Sequence, residues 1–270
     1  MIPYIMHPVL DRLDALALDL DGVVYRGSHT VPGAPEAIET FRAAGKRLLF
    51  LTNNATRSES DVAEKLASHG VVVSQEEILT SARVTTDLLL ARGLGGSSVF
   101  VIGGDGIRSA LEAAGFALRE DNDGTNADIV VVGSDRTFNW NALRVASDAV
   151  RAGATFVATN GDPTLPTPTG LAPGAGAIIA AVEVSSGKTP EIVGKPHPPM
   201  MEAAAARLVG ARAVGIIGDQ PITDLDGGRA LGWTTILVLT GVVDANGAGD
   251  VRPAPDLIVD DLLALVRPPG

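Results

Sequence analysis

The chain of 270 residues has no cysteine. That excludes disulfides, thiolate metal sites and a cysteine nucleophile, and it leaves the redox compartment unreported. Aromatic residues are scarce, at 4% of the sequence, so the core has to be aliphatic. Abundant Ala, Val, Leu and Gly suit a parallel sheet covered by alanine-rich helices. No apolar run approaches the roughly 18 residues that a membrane-spanning helix needs. Met1 to Leu10 carries neither a basic cluster nor a long apolar stretch, so no signal peptide is expected there. Positive charge is short as well: 21 Lys and Arg stand against 32 Asp and Glu, a formal net charge of −11. A field of that sign repels nucleic acid and anionic membranes, and any anionic ligand must be held by local cations. The composition therefore predicts a soluble, cytoplasmic protein with no nucleic-acid and no membrane partner.

What is present is a recurring pattern in which a short apolar run ends in polar residues. Ala15 to Leu18, uncharged, runs into Asp19-Leu20-Asp21-Gly22, as a strand buried on both faces of a parallel sheet would. Arg47 to Leu51 runs into Thr52-Asn53-Asn54-Ala55-Thr56-Arg57-Ser58, ahead of a helix expected from about Glu59 to His69. Glu191 to Gly194 precedes Lys195, and Ala213 to Ile217 precedes Gly218-Asp219 with Asp224 close behind. Ligands of open α/β sheets sit outside the carboxyl ends of the strands, so chemistry placed there suggests a site. Each segment alone also has a plainer reading. Asp-x-Asp-Gly punctuates turns, and hydroxyls before a helix either cap it or hold a phosphate.

Further runs at Val99–Ile102, Ile129–Val132, Thr155–Ala158, Thr234–Val238 and Leu257–Val259 predict strands. Helices are expected from Ala34 to near Gly45 and over Arg83–Ala91, Trp140–Ala152, Ala175–Ser186, Met200–Val209 and Leu225–Leu231. The stretch from Asn160 to Gly170 contains three prolines and can be neither helix nor central strand. It is either a connector or a specificity loop. Gly174 and Gly176, at the start of the next helix, permit close backbone approach to a neighbour or to a ligand. Gly104-Asp105-Gly106 imitates a dinucleotide fingerprint, but the sixth position is Ser109 rather than Gly or Ala, which argues against it. His7, His29 and His69 show no metal-ligand spacing, His197 reads as exposed scaffold, and Trp140 and Trp233 read as packing residues.

Taken together, Asp19-Leu20-Asp21-Gly22-Val23, Leu51-Thr52-Asn53-Asn54, Gly194-Lys195-Pro196 and Gly218-Asp219 with Asp224 after four intervening residues resemble the four motifs of the haloacid dehalogenase (HAD) superfamily. The extended forms Asp19 to Gly27, Thr52 to Ser58 and Val193 to Pro196 look like its NagD and p-nitrophenylphosphatase branch. The run Thr159 to Thr167 with Gly170-Leu171-Ala172-Pro173-Gly174 looks most like the glycerol-3-phosphate phosphatases of actinobacteria. The resemblance implies an α/β fold with a Rossmann-like parallel-sheet core, residues 1–81 and 187–270, and an inserted α/β cap over 82–186. It implies that Asp19 is the nucleophile that forms an aspartyl phosphate, and that Asp21 is first general acid and then general base. It gives Mg²⁺ as cofactor, held by Asp19, Asp219 and the backbone carbonyl of Asp21, with Asp224 orienting that shell. Thr52, Asn53 and Lys195 would hold the phosphate, and Asn160, Asp162 and Gly174 would select the substrate. The implied partner is a small phosphate ester: glycerol 3-phosphate first, then phosphoglycolate, pyridoxal phosphate, sugar phosphates or nucleotide monophosphates, with a homodimer as a family expectation. A signalling receiver and a phosphate sensor on an inactive scaffold are the competing classes.

Overall fold

The computed structural model describes residues 5–167 and 170–267. By contact the described residues form two compact units. One comprises the chain up to Thr52, Val62–Leu79 and everything from Met201 onward; the other comprises Asn53–Asp61 and Thr80–Met200.

The first unit is built on a six-stranded sheet. Its lateral order is Leu257–Val259, Thr234–Val238, Val214–Gly218, Ala15–Asp19, Arg47–Thr52, Ile78–Thr80. The pairings from the first of these strands through the fifth are all parallel. Ala15 to Leu18 are fully buried, which is why the strand reads as an unbroken apolar run: both of its faces are covered. The helix Ala34–Ala43 buries Ala34, Ala37, Ile38 and Phe41, the i, i+3, i+4, i+7 stripe of an amphipathic helix. Phe41 and Phe50 are both fully buried, so two of the few aromatics sit in the centre of an otherwise aliphatic core.

Strand register positions the chemistry. Leu18 lies opposite Ile217 on one side, and Asp19 lies opposite Leu51 on the other. Three neighbouring strands therefore end in step, and Asp219 and Thr52 emerge one residue beyond the level of Asp19. The chain leaves Ala15–Asp19 for Arg47–Thr52 on one side and returns much later to Val214–Gly218 on the other. Such a change of direction opens a crevice at the strands' carboxyl ends.

The second unit has its own five-stranded sheet, in the order Glu191–Ile192, Thr155–Ala158, Ile129–Val132, Ser98–Ile102, Ala117–Arg119, with every pairing parallel. Helices Trp140–Ala152 and Ala175–Ser186 pack on it through Val145, Ala149, Ile178 and Val182. The first of these starts at Asn139, whose side chain accepts from Ala142 N–H, and stops at Gly153 in the left-handed region.

One expectation is corrected and two are refined. The proline-bearing stretch is partly extended: Thr164–Thr167 and Gly170–Pro173 form an antiparallel two-stranded ribbon. Both strands of a ribbon are edges, where proline is tolerated. Pro168 and Thr169 of that candidate specificity loop lie outside the described residues. Trp140 is not a packing residue, being 74% exposed at the first turn of its helix. The helix expected at Leu225 begins with a wider π turn, Pro221–Leu225, before the short α-helix Asp226–Ala230.

Candidate active site

Asp19, Asp219 and Asp224 converge in the first unit, with one carboxylate oxygen of each within 4.8 Å of the others. Asp219 and Asp224 are each only 1% exposed. Like charges this close and this dry repel strongly unless a cation sits among them or protons are taken up. The donor set is oxygen only, hard and anionic, which suits Mg²⁺ and similar ions. Backbone donors fix the carboxylates. Asp219 Oδ2 accepts from Val242 N–H at 2.6 Å, and Asp224 Oδ2 accepts from Gln220 N–H at 3.1 Å. Glycines make the room: a Cβ on Gly218 would collide with the Asp224 carboxylate, and one on Gly22 with that of Asp219. Gly22 also adopts φ +86°, a left-handed conformation that side chains resist. Its N–H closes the turn on Tyr25 O at 2.7 Å. Thr52, buried at its strand end, belongs to the same unit.

The Asp21 side chain is not among the three converging carboxylates and is about half exposed, at 53%. Lys65 Nζ stands 3.9 Å from its Oδ1 and 3.6 Å above the centroid of the Tyr25 ring. That ring stacks on His69, with centroids 4.8 Å apart and planes 23° apart, and His69 Nδ1 lies 2.8 Å from Thr30 Oγ. Burial holds the His69 pKa below the ordinary histidine value. The Lys65 cation pushes it the same way, and Asp21 pushes against both. Sequence reasoning missed Lys65 and Tyr25 and found in His69 only an absence of ligand spacing. The available signal was the i, i+4 spacing of Lys65 and His69 at the end of one helix.

The second unit gathers the other predicted residues around Asn53. Its Oδ1 accepts from Lys195 N–H at 2.7 Å, and its Nδ2 donates to Lys195 O at 3.1 Å and to Asp162 Oδ2 at 3.2 Å. Its carbonyl accepts from Asn160 Nδ2 at 2.9 Å and from Ser81 Oγ at 2.7 Å. Lys195 is 3% exposed. Gly194 allows this closeness, since a Cβ there would lie 2.6 Å from Asn53 Oδ1 and 2.7 Å from Thr159 O. The glycine pair at the next helix has a neighbour to approach: Gly176 N–H donates to Asp162 O at 2.9 Å, Gly174 N–H donates to Pro163 O at 2.9 Å, and a Cβ on Gly174 would strike Asp162 O.

Parts of two candidate ligand loops are held by the chain itself. Thr56 N–H and Oγ both bond Asn54 Oδ1, at 2.9 and 2.6 Å, and Ser58 and Asp61 cap each other reciprocally at the start of Glu59–Ser68. Gly106 and Ile107 donate their N–H groups to Thr56 O and Ala55 O, and a Cβ on Gly106 would overlap the Arg57 backbone. Those glycines serve close chain packing, and the Gly106 and Ile107 N–H groups are already occupied.

Comparison with known proteins gives consistent matches. The family model described as haloacid dehalogenase-like hydrolase matches residues 16–117, and a second, HAD-hydrolase-like, matches residues 192–265. A D-glycerol 3-phosphate phosphatase of Mycobacterium tuberculosis is 38% identical over 263 residues, covering 96% of this chain and 73% of that protein. An acid sugar phosphatase of Staphylococcus aureus is 38% identical over 254 residues, covering 94% of this chain and 96% of that protein. Among solved structures, the M. tuberculosis glycerol phosphate phosphatase in complex with magnesium superposes with a TM-score of 0.87 at 37% identity, covering 97% of this chain and 79% of its own. A 4-nitrophenylphosphatase from Thermotoga maritima superposes with a TM-score of 0.88 at 32% identity, covering 96% and 98%. Among the described residues no helix is long and apolar enough to cross a membrane.

Proposed function

Because this chain belongs to the haloacid dehalogenase-like hydrolases, we propose that it is a Mg²⁺-dependent phosphomonoesterase whose preferred substrate is glycerol 3-phosphate. It is a phosphatase of small organic phosphates. The observation that supports Mg²⁺ dependence is the convergence of Asp19, Asp219 and Asp224, and what supports the substrate is the similarity to a D-glycerol 3-phosphate phosphatase.

Asp19 attacks phosphorus through a carboxylate oxygen as the bond from phosphorus to the leaving oxygen breaks, and Asp21 gives its proton to the departing alkoxide. Water then attacks the aspartyl phosphate, Asp21 takes up the proton, and the Asp19–phosphorus bond breaks to release inorganic phosphate. Thr52, Asn53 and Lys195 hold the phosphoryl oxygens and offset their charge. Asp19, Asp219 and the carbonyl of Asp21 would hold Mg²⁺, with Asp224 orienting the shell, and the bound ion neutralises charge where one anion must meet another. The half-exposed Asp21 carboxyl suits a group that exchanges protons with substrate and water.

In this reading residues 82–186 are a cap inserted into a core of residues 1–81 and 187–270, and Asn160 and Asp162 select the leaving group. The relative that is an acid sugar phosphatase, equally 38% identical, supports sugar phosphates as the second substrate class. The enzyme is assigned to the cytoplasm, and a homodimer is the assembly that sedimentation would test.

The test is phosphate release from glycerol 3-phosphate, phosphoglycolate, pyridoxal phosphate, sugar phosphates, nucleotide monophosphates and p-nitrophenyl phosphate. Glycerol 3-phosphate should give the highest kcat/KM, and equal rates on all would mean a generalist. Asp19→Asn should abolish release while leaving the circular dichroism spectrum unchanged. Asp162→Ala should shift the substrate ranking more than it slows p-nitrophenyl phosphate.

A further inference from the structure

We propose that the turn Leu239-Thr240-Gly241-Val242 is a positioning element of the catalytic centre, a brace that holds Asp219 and the Asp21-Gly22 turn in one arrangement. The inference rests on the Mg²⁺ phosphatase reading above, but none of the four motifs contains this turn. It leaves the carboxyl end of Thr234–Val238, the strand beside Val214–Gly218, with Leu237 opposite Gly218. Register alone therefore delivers it next to Asp219.

Five contacts make it a brace. Val242 N–H donates to Asp219 Oδ2 at 2.6 Å, which fixes the plane of that carboxylate and so the direction of its other oxygen. Thr240 Oγ donates to Gly22 O at 2.6 Å, fixing the peptide that follows Gly22, one residue beyond Asp21 in the same turn. Arg26 Nε–H donates to Thr240 O and ties the turn to the far side of the Asp21-Gly22 loop. Gly241 packs where no side chain fits: a Cβ on it would overlap the Asp219 carboxylate, and one on Gly22 would come to 3.0 Å from Gly241 Cα. Leu239 N–H anchors the base of the turn on Val259 O at 3.1 Å.

One hydroxyl and one glycine thus link the two acidic turns that would share the ion. Thr240 needs to touch neither ion nor substrate, because it acts through Gly22 and the turn that carries the Val242 donor. Groups that orient metal-binding carboxylates from behind typically change metal affinity by roughly 10- to 100-fold when removed. The near-isosteric Thr240→Val, which deletes only the donor, should weaken Mg²⁺ by an amount in that range.

Isothermal titration of Mg²⁺ into the metal-free chain tests this without turnover, alongside the melting temperature and the kcat and KM for p-nitrophenyl phosphate. Thr240→Val should bind Mg²⁺ more weakly at an unchanged melting temperature, and Thr240→Ser should restore the affinity. Gly241→Ala should lose more than Thr240→Val, because it displaces Asp219 directly. Wild-type affinity in both Thr240→Val and Gly241→Ala, or a Thr240→Ser as weak as Thr240→Val, would overturn the brace. Failure of the unsubstituted chain to bind Mg²⁺ would overturn the metal reading beneath it, and that result needs no variant to be seen.

Discussion

At the scale of single residues the least expected group is Lys65. Its ammonium sits between the face of Tyr25 and the carboxylate of Asp21, so the cation–π contact holds it where it can steady the proposed acid–base. The pair is partly solvated, and its Coulomb energy is modest. Placement matters more. Lys65→Met is expected to lower kcat for p-nitrophenyl phosphate roughly tenfold, short of the 10²–10⁴ that a general acid–base supplies, with Lys65→Arg recovering most of it. An unchanged kcat in Lys65→Met would make the lysine a bystander. His69 below the same ring gives a stability prediction. Burial and Lys65 lower its pKa in the fold, so below about pH 6.5 the unfolded chain binds a proton that the folded chain refuses. Stability contributed by the neutral ring is complete above that pH and falls as pH drops through the window. Denaturant midpoints at about pH 7.5 and about pH 5.5 should therefore diverge more for wild type than for His69→Gln, and equal divergence would refute the assignment.

Among elements, those with covered faces were legible in the sequence. Ala15–Asp19, Arg47–Thr52, Ile129–Val132 and Thr155–Ala158 announce themselves because a parallel strand buried on both sides has to be apolar throughout. Acids that end such runs are conspicuous for the same reason, and Asp19, Asp21, Asp219 and Lys195 could be picked out from their place at strand ends. Ala117–Arg119 escaped notice because an edge strand of three residues, exposed in part, needs no apolar run. The ribbon of Thr164–Thr167 with Gly170–Pro173 was hidden by its prolines. Lys65 was invisible because a lysine on a helix is ordinary, and Thr240-Gly241-Val242 because it reads as plain turn chemistry; only register reveals what each faces. The cap of Glu59–Ser68 offers a test at this scale. Ser58 and Asp61 exchange hydrogen bonds, and the Ser58 hydroxyl is the leading cause of the lowered Asp61 pKa. Ser58→Ala should cost about 1 kcal/mol of stability in denaturant titrations. Gly106→Ala, which drives a methyl into the Arg57 backbone, should cost roughly 1–3 kcal/mol. A neutral Gly106→Ala would mean that the two segments part easily.

For the whole molecule the governing quantity is charge. A chain of net charge −11 has to accept a phosphate ester dianion, so its long-range field and the proposed local chemistry oppose each other. They act over different distances. The proposed cations of the site would act within a few ångströms, where solvent ions scarcely intervene, whereas repulsion from acids spread over the surface is screened once the Debye length shortens to about 10 Å near 0.1 M salt. Raising sodium chloride from a few millimolar toward that concentration, at saturating Mg²⁺, should therefore raise kcat/KM for p-nitrophenyl phosphate by a few-fold, because encounter becomes easier. The value of kcat at saturating substrate should hold steady, since screening alters approach and not the bound arrangement. A kcat/KM that falls with salt would show that the cations at the site project a field strong enough to outweigh the surface acids. The substrate would then be drawn in by the site itself, despite the charge of the protein that surrounds it.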